Sequence, residues 1–249
     1  MNKLIKAIRH EIEDCAVLLR NIPSVVMALF VVSIILMNLL ANREIITGVP
    51  WLALDCGLLV SWMSFLAMDM LTKRFGPKAS VKLSLVAVGI NLLVCIILFV
   101  VSRVPGNWAA FYDFEMQEVN QALDNTFGGT WYILMGSTIA FLVASVVNAV
   151  VNSSVGHLCK TDGFGAYMAR SYISTLVGQF LDNFVFALIV SHTFFGWTLL
   201  QCVTCSLTGC IVELLCEVVF SPIGYRVCKG WDKHHVGKAY LEYAGIHRR

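Results

Sequence analysis

Four ionisable side chains stand out among the residues of long apolar stretches in this chain, where charged residues are rare. They are Asp69, Arg170, Asp182 and Glu213. Placing a charge at the centre of a membrane helix costs about 2.5–3.5 kcal/mol, so such a group is expected to face a protein interior and to have a function. Amide side chains add hydrogen-bond donors and acceptors within the same stretches, at Asn91, Asn148, Gln179 and Gln201. These residue types can recognise a polar ligand within a membrane.

The fifth apolar stretch carries most of this chemistry. Its polar face repeats every three to four positions and comprises Arg170, Ser174, Thr175, Gly178, Gln179, Asp182 and Phe186. Gln179 offers a donor and an acceptor, Asp182 offers two acceptor oxygens, and Phe186 offers a stacking surface, which together suit the edge and face of a planar heterocycle. The alternative interpretation is that these groups satisfy one another across helices.

The sequence predicts no catalytic residue, no metal and no cofactor. It contains no Gly-x-Ser-x-Gly, His-Glu-x-x-His or phosphate-binding glycine loop. Cys202 and Cys205 have metal-site spacing, but they lie in an apolar stretch without a second ligand pair. Without a nucleotide-binding loop, the chain is not expected to hydrolyse ATP, so active transport would need an ion gradient or another subunit.

Six apolar stretches must position these residues, at 23–41, 51–70, 82–102, 131–155, 166–190 and 197–220. Each has about the length that a helix needs to cross a bilayer. The composition is 58% hydrophobic and 14% charged, with a mean hydropathy of +0.75, whereas soluble domains have roughly a quarter of their residues charged. The expected fold class is all-α, a polytopic membrane protein with six transmembrane helices in a single bundle.

Lys and Arg residues are concentrated in every second gap between these stretches. Sixteen of the 18 Lys and Arg residues lie before the first stretch, between the second and third, between the fourth and fifth, or after the sixth, if Lys82 and Arg170 at the starts of the third and fifth stretches are counted with the gaps before them. The positive-inside rule then places the N-terminus and the C-terminus in the cytoplasm. Because the positive charge is confined to one side, we expect no nucleic-acid partner.

Three regions are predicted along the chain: an interfacial amphipathic segment at 1–22, the transporter domain at 23–227, and a basic tail at 228–249. The acidic and aromatic segment 103–130 suits a surface helix that could act as a lid, or a solvated connector.

The run from Ala169 to Phe186 is similar to the signature Ser-Thr-x-x-[Gly/Ser]-[Gln/Asn]-x-x-Asp-x-x-x-Phe of the queuosine precursor transporter family, also called the vitamin uptake transporter-like (VUT) family. Further matches occur in or directly after the other stretches, at Asn38, 69–76, Asn91, 137–140 and 221–222. The resemblance spans about 23–227.

The resemblance implies import of a 7-deazaguanine intermediate of queuosine, a modified tRNA nucleoside, across the bacterial cytoplasmic (inner) membrane. The substrate-binding residues that it and the polar face indicate are Asp182, Gln179, Asn91, Ser174, Thr175, Phe186, Asn148 and Glu213. The lipid bilayer is the expected surrounding. A proton as coupling ion and a homodimer as assembly both remain open.

Three positions depart from many relatives, which carry Glu at 73, Lys at 213 and Asp at 148. Lys73 and Glu213 could form an exchanged ion pair, and Asn148 argues against a proton relay there. A gate or ion-pair group is therefore hypothesised at Asp69, Lys73, Arg170 and Glu213. Two other functions are weighed against transport: the substrate-binding subunit of an energy-coupling-factor importer, and a membrane scaffold without a ligand.

Overall fold

The computed structural model describes residues 2–52, 54–108, 116–128, 131–159 and 163–246. Helices dominate these residues: α1 (Asn2–Asn21), α2 (Ser24–Leu40), α3 (Leu58–Phe75), α4 (Pro77–Val101), α5 (Gln117–Gly128), α6 (Trp131–Leu158), α7 (Phe164–Phe186), α8 (Leu199–Lys233) and α9 (Lys238–Tyr243). A π-helical segment, Ala187–His192, continues α7. Strands β1 (Glu44–Ile45) and β2 (Leu54–Asp55) form one antiparallel pair. The predicted helical class is confirmed, with this small sheet as an addition.

Each predicted stretch forms a helix, but the structure supports fewer than six spans by length and composition. Among the described residues, α4, α6, α7 with its π-helical continuation, and α8 are long and apolar enough to cross a bilayer. Helix α2 joins them if it is counted with the end of α1 across a bend of 110°. Helix α3 has 18 residues, including Asp69, Lys73 and Arg74. The six-span count and the sidedness of the termini remain predictions.

Several helix ends differ from the predicted span ends. The second stretch was predicted to begin at 51, yet α3 begins at Leu58, because β2 pairs with β1 and residues up to Gly57 form a connector. At the other end, Gly76 has a φ of +88°, a conformation that favours glycine, and Pro77 then starts α4. Helix α8 continues to Lys233, through the predicted boundary at 227. Apolar runs therefore located the helices but not their polar ends.

Two predicted surface helices are present. Helix α1 exposes Ile5, Ile8 and Ile12, and its acidic residue Asp14 pairs with Lys82 of α4. An exposed apolar stripe beside charged residues suits a membrane surface. Helix α5 occupies part of 103–130, whereas 109–115 and 129–130 lie outside the described residues, so the lid role remains a prediction.

Helix α3 lies at the centre of the bundle and contacts α2, α4, α6, α7 and α8. All its residues from Met68 to Phe75 are buried, which explains how a helix with three charged residues fits the interior. Its Phe65 packs edge-on against Phe141 of α6, with ring centroids 6.4 Å apart. We call the end where α2 ends and α3 begins the β1–β2 end, and the opposite end the α1 end.

Candidate functional site

A cavity lies near the β1–β2 end, between α2, α3, α6 and α7. Its lining residues come from these helices and the connector before α3, and they are Met37, Ala41, Asp55, Gly57, Leu58, Ser61, Ser137, Asp182, Asn183 and Phe186. The space open to water inside it is about 30 Å³, which is room for one or two water molecules. A larger ligand would need these side chains to move apart.

Three carboxyl groups give the cavity an acidic character. Asp55 and Asp182 line it directly. Glu213 of α8 lies behind the wall, where its Oε1 accepts a hydrogen bond from Ser61 and its Oε2 accepts one from Asn183 at 3.1 Å. The three groups are close enough to repel one another electrostatically. Of the described residues that line the cavity, none is Lys, Arg or His, so the site suits a donor-rich or cationic ligand.

Asp55 is held in place by the start of α3. Its Oδ1 accepts a hydrogen bond of 2.7 Å from the backbone N–H of Gly57. Burial of the carboxyl group raises the pKa of Asp55 to about 6, although the backbone N–H groups of Gly57 and Leu58 lower it. Sequence reasoning missed this residue, although a carboxylate within the predicted stretch 51–70 was a usable signal.

The polar strip of α7 reaches the cavity at Asp182 and Phe186. Both line it, and Gln179 lies one turn before Asp182 and is fully buried. In the part of the chain that the structure describes, neither amide atom of Gln179 nor Oδ1 of Asp182 has a hydrogen-bond partner. Buried polar groups are paired in the great majority of cases, so these atoms are available to a ligand.

A second polar centre surrounds Asp69 in the middle of the bundle. Asp69 Oδ1 accepts hydrogen bonds from Asn148 Nδ2 at 2.9 Å and Ser174 Oγ at 3.0 Å. Its Oδ2 accepts from Ser171 Oγ at 2.6 Å and Thr175 Oγ1 at 3.3 Å. The structure thus places Ser174, Thr175 and Asn148 around Asp69 and not among the lining residues of the cavity.

Glu217 belongs to the same centre and was not singled out from the sequence. It is fully buried on α8, and its Oε1 lies within hydrogen-bond distance of Ser171 Oγ, which also contacts Asp69 Oδ2. Its position one turn after Glu213, on the same helix face, was a signal for it.

Towards the α1 end, Arg170 Nε donates to Asn152 Oδ1 at 2.8 Å, and Asn152 Nδ2 donates to Ser174 at 3.1 Å.

The structure does not bring Lys73 and Glu213 together. Glu213 accepts from Ser61, which is twelve residues, or about 18 Å, from Lys73 along α3. The Lys73 ammonium lies 5.8 Å from the centre of the Tyr167 ring. The hypothesised ion pair is therefore not formed in this structure, because the two residues occupy different levels of the bundle.

Asn91 of α4 is buried, and neither of its amide atoms has a partner among the described residues. It is not among the residues that line the cavity.

Comparison with known proteins places these features in a family. No curated protein and no solved structure matches the chain. A family described as "Putative vitamin uptake transporter" matches residues 55–227. The matched region contains Asp55 and Asp182, which line the cavity, and Glu213 behind its wall, as well as Asp69 and Glu217. Together with its apolar helices, this match supports a multi-pass membrane location. The match covers more than half of the sequence, and the chain therefore belongs to this vitamin uptake transporter family.

Proposed function

We propose that the protein imports a queuosine precursor, a 7-deazaguanine base, across the bacterial cytoplasmic membrane for the queuosine modification of tRNA. The observation that carries this proposal is the pair Gln179 and Asp182. Among the described residues, the buried amide atoms of Gln179 and Oδ1 of Asp182 have no hydrogen-bond partner. Asp182 lines the cavity together with Phe186, and Gln179 lies one turn before Asp182 on α7. Family membership supports transport, and the chemistry of the pair supports the substrate.

A 7-deazaguanine presents neighbouring N–H groups on one edge and a flat apolar face. A carboxylate such as that of Asp182 can accept hydrogen bonds from the ring N–H and the exocyclic amine together, in a charge-assisted arrangement. The Gln179 amide can donate to a ring carbonyl and accept from an N–H. Phe186, one turn beyond Asp182 on α7, supplies a ring against which the base can stack.

The charges at the cavity favour one form of the substrate. Asp55, Asp182 and Glu213 are acidic, and the described lining residues contain no basic side chain to offset them. A ligand with a positive arm would reduce the repulsion between these carboxyl groups. The aminomethyl form, which is a cation near neutral pH, therefore fits this cavity better than the neutral cyano form.

Binding to the purified protein in lipid nanodiscs tests the proposal. We expect 7-aminomethyl-7-deazaguanine to bind, and Asp182→Asn to weaken binding by about tenfold or more, because hydrogen bonds to charged groups contribute about 1.5–3 kcal/mol. The matched control is Asp124→Asn on α5, whose carboxylate accepts from Trp108 Nε1 away from the cavity. Unchanged affinity in Asp182→Asn, or no binding of any deazaguanine, would contradict the proposal.

A further inference from the structure

The polar centre around Asp69 contains a second carboxyl group, which does not line the cavity. Asp69 of α3 and Glu217 of α8 are both fully buried, and Ser171 of α7 lies between them. The centre is at a different level from the cavity. Asp69 is eight residues, or about 12 Å, from the lining residue Ser61 along α3.

The contacts of the Ser171 hydroxyl fit a state in which one of the two carboxyl groups is protonated. The Ser171 hydroxyl has one hydrogen, yet its oxygen is within hydrogen-bond distance of Asp69 Oδ2 and of Glu217 Oε1. A serine hydroxyl can donate only one hydrogen bond. The second contact is satisfied if one carboxyl group is protonated and donates to the Ser171 oxygen.

Unpartnered acceptor atoms at the same centre also favour a bound proton. Glu217 Oε2 and Asn148 Oδ1 are buried and have no hydrogen-bond partner among the described residues. Asn148 Nδ2 donates to Asp69, so the amide that carries this oxygen contacts one of the two carboxyl groups. Two acceptor atoms therefore remain for a proton held at this centre.

Other titratable groups face the pair from three helices. Arg170 and Tyr167 of α7 are within electrostatic range of Asp69, and Tyr167 is also within range of Glu217. Lys73 of α3 lies over the Tyr167 ring, and Cys228 of α8 lies near Tyr167. Helix α6 contributes the neutral amides of its residues 148 and 152. Among the described residues, the two carboxyl groups are the side chains within hydrogen-bond distance of the Ser171 hydroxyl.

We propose that Asp69, Ser171 and Glu217 form the proton-binding site that couples substrate movement to a proton gradient, an inference that rests on the proposed transport function. The proton binds a carboxylate oxygen of the pair, the resulting carboxylic acid donates to Ser171, and the same proton later leaves to water on the other side. Helix α8 links this site to the cavity, because Glu217 lies one turn from Glu213.

Gradient-driven uptake and substrate exchange distinguish coupling from binding. In proteoliposomes with the membrane potential clamped at zero, one proton moving down one pH unit supports about tenfold accumulation of substrate. We expect Glu217→Gln to lose this accumulation. The rate at which labelled exchanges for unlabelled 7-aminomethyl-7-deazaguanine should fall far less, and this rate should no longer vary with pH. The control Glu118→Gln changes an exposed residue of α5 and should accumulate substrate as the unmodified protein does. Proton-driven accumulation that survives in Glu217→Gln, or accumulation driven by sodium alone, would overturn the proposal.

Infrared spectroscopy tests the proton site without transport. The unmodified protein should show a protonated-carboxyl C=O band that shifts with pH, and both Glu217→Gln and Asp69→Asn should alter it. If no deazaguanine is transported but this band responds as expected, the proton site stands and the proposed substrate falls. If neither substitution changes the band, the proton site is wrong whatever the transport result.

Discussion

Ser61 of α3 donates a hydrogen bond to Glu213 of α8, and this contact fixes Glu213 in the half of the bundle that contains the cavity. Asn183 of α7 donates to the other carboxylate oxygen. Glu213 thus links three helices beside the cavity. An exchanged ion pair with Lys73 would require Glu213 to leave both partners.

Because Lys73 and Glu213 lie far apart, we expect the effects of exchanging their charges on stability to be independent. Lys73→Glu and Glu213→Lys should each lower thermal stability, and the double exchange should lower it by the sum, within about 0.5 kcal/mol, because distant sites act independently. Thermal unfolding in detergent of the unmodified protein, the two single variants and the double variant measures these changes in stability. A double exchange more stable than either single variant would show that the two side chains interact.

The fifth apolar stretch shows how far periodicity can predict a site. Its spacing correctly predicted a polar helix face, and Asp182 and Phe186 of that face line the cavity. The same spacing could not show that Ser174 and Thr175 would contact Asp69. Periodicity gives the direction of a side chain around its helix, whereas its partner depends on which helices pack at that depth.

Gly178 is predicted to be essential for the packing of α7. A Cβ atom there would lie 2.8 Å from Cε1 of Phe65 and 3.0 Å from Cβ of Asn148. Gly178→Ala should therefore destabilise the protein by about 1–3 kcal/mol, as overpacked cores do. In Gly165→Ala on the same helix, the new Cβ meets no atom within 4 Å, so stability should stay the same or rise by up to about 1 kcal/mol. Equal thermal stability of the two variants would contradict this packing.

Asp55 predicts a pH dependence of stability. Burial raises its pKa to about 6 in the folded protein, from an ordinary value of 3.8. The fold favours the protonated carboxyl group, so this contribution to stability is complete below about pH 4 and is lost as the pH rises through about 6. Asp55→Asn cannot ionise but keeps an acceptor for Gly57. Its melting temperature should fall less between pH 5 and pH 7.5 than that of the unmodified protein, and an identical fall would contradict the assignment.

Asp55 and Glu217 show what a reading of hydropathy misses. The predicted span 51–70 included Asp55, but the backbone pairing of β1 with β2 places it in a connector that folds against the cavity. Glu217 lay near the predicted end of the sixth stretch, whereas α8 continues to Lys233 and keeps the residue fully buried. Both positions depend on contacts between segments distant in sequence, which composition does not record.

Because the cavity is acidic, we expect the protein to discriminate between 7-deazaguanines that differ in the group at position 7. The aminomethyl form of 7-deazaguanine should bind about tenfold or more tightly than the cyano form at neutral pH, because hydrogen bonds to charged groups contribute about 1.5–3 kcal/mol. Asp55→Asn should narrow the ratio by removing one carboxylate, and Asp124→Asn should leave it unchanged. Calorimetric titration of both compounds measures the ratio. Equal or tighter binding of the cyano form would show that the acidic groups do not contact the arm.

Uptake of labelled 7-aminomethyl-7-deazaguanine into liposomes that contain only this protein tests the central claim most directly. We expect saturable uptake with which unlabelled substrate competes. Asp182→Asn should reduce this uptake strongly, because Asp182 lines the cavity and its Oδ1 has no partner within the described part of the chain. Binding without uptake would assign the chain to the substrate-binding subunit of a larger importer. Neither binding nor uptake of the deazaguanine would contradict the account.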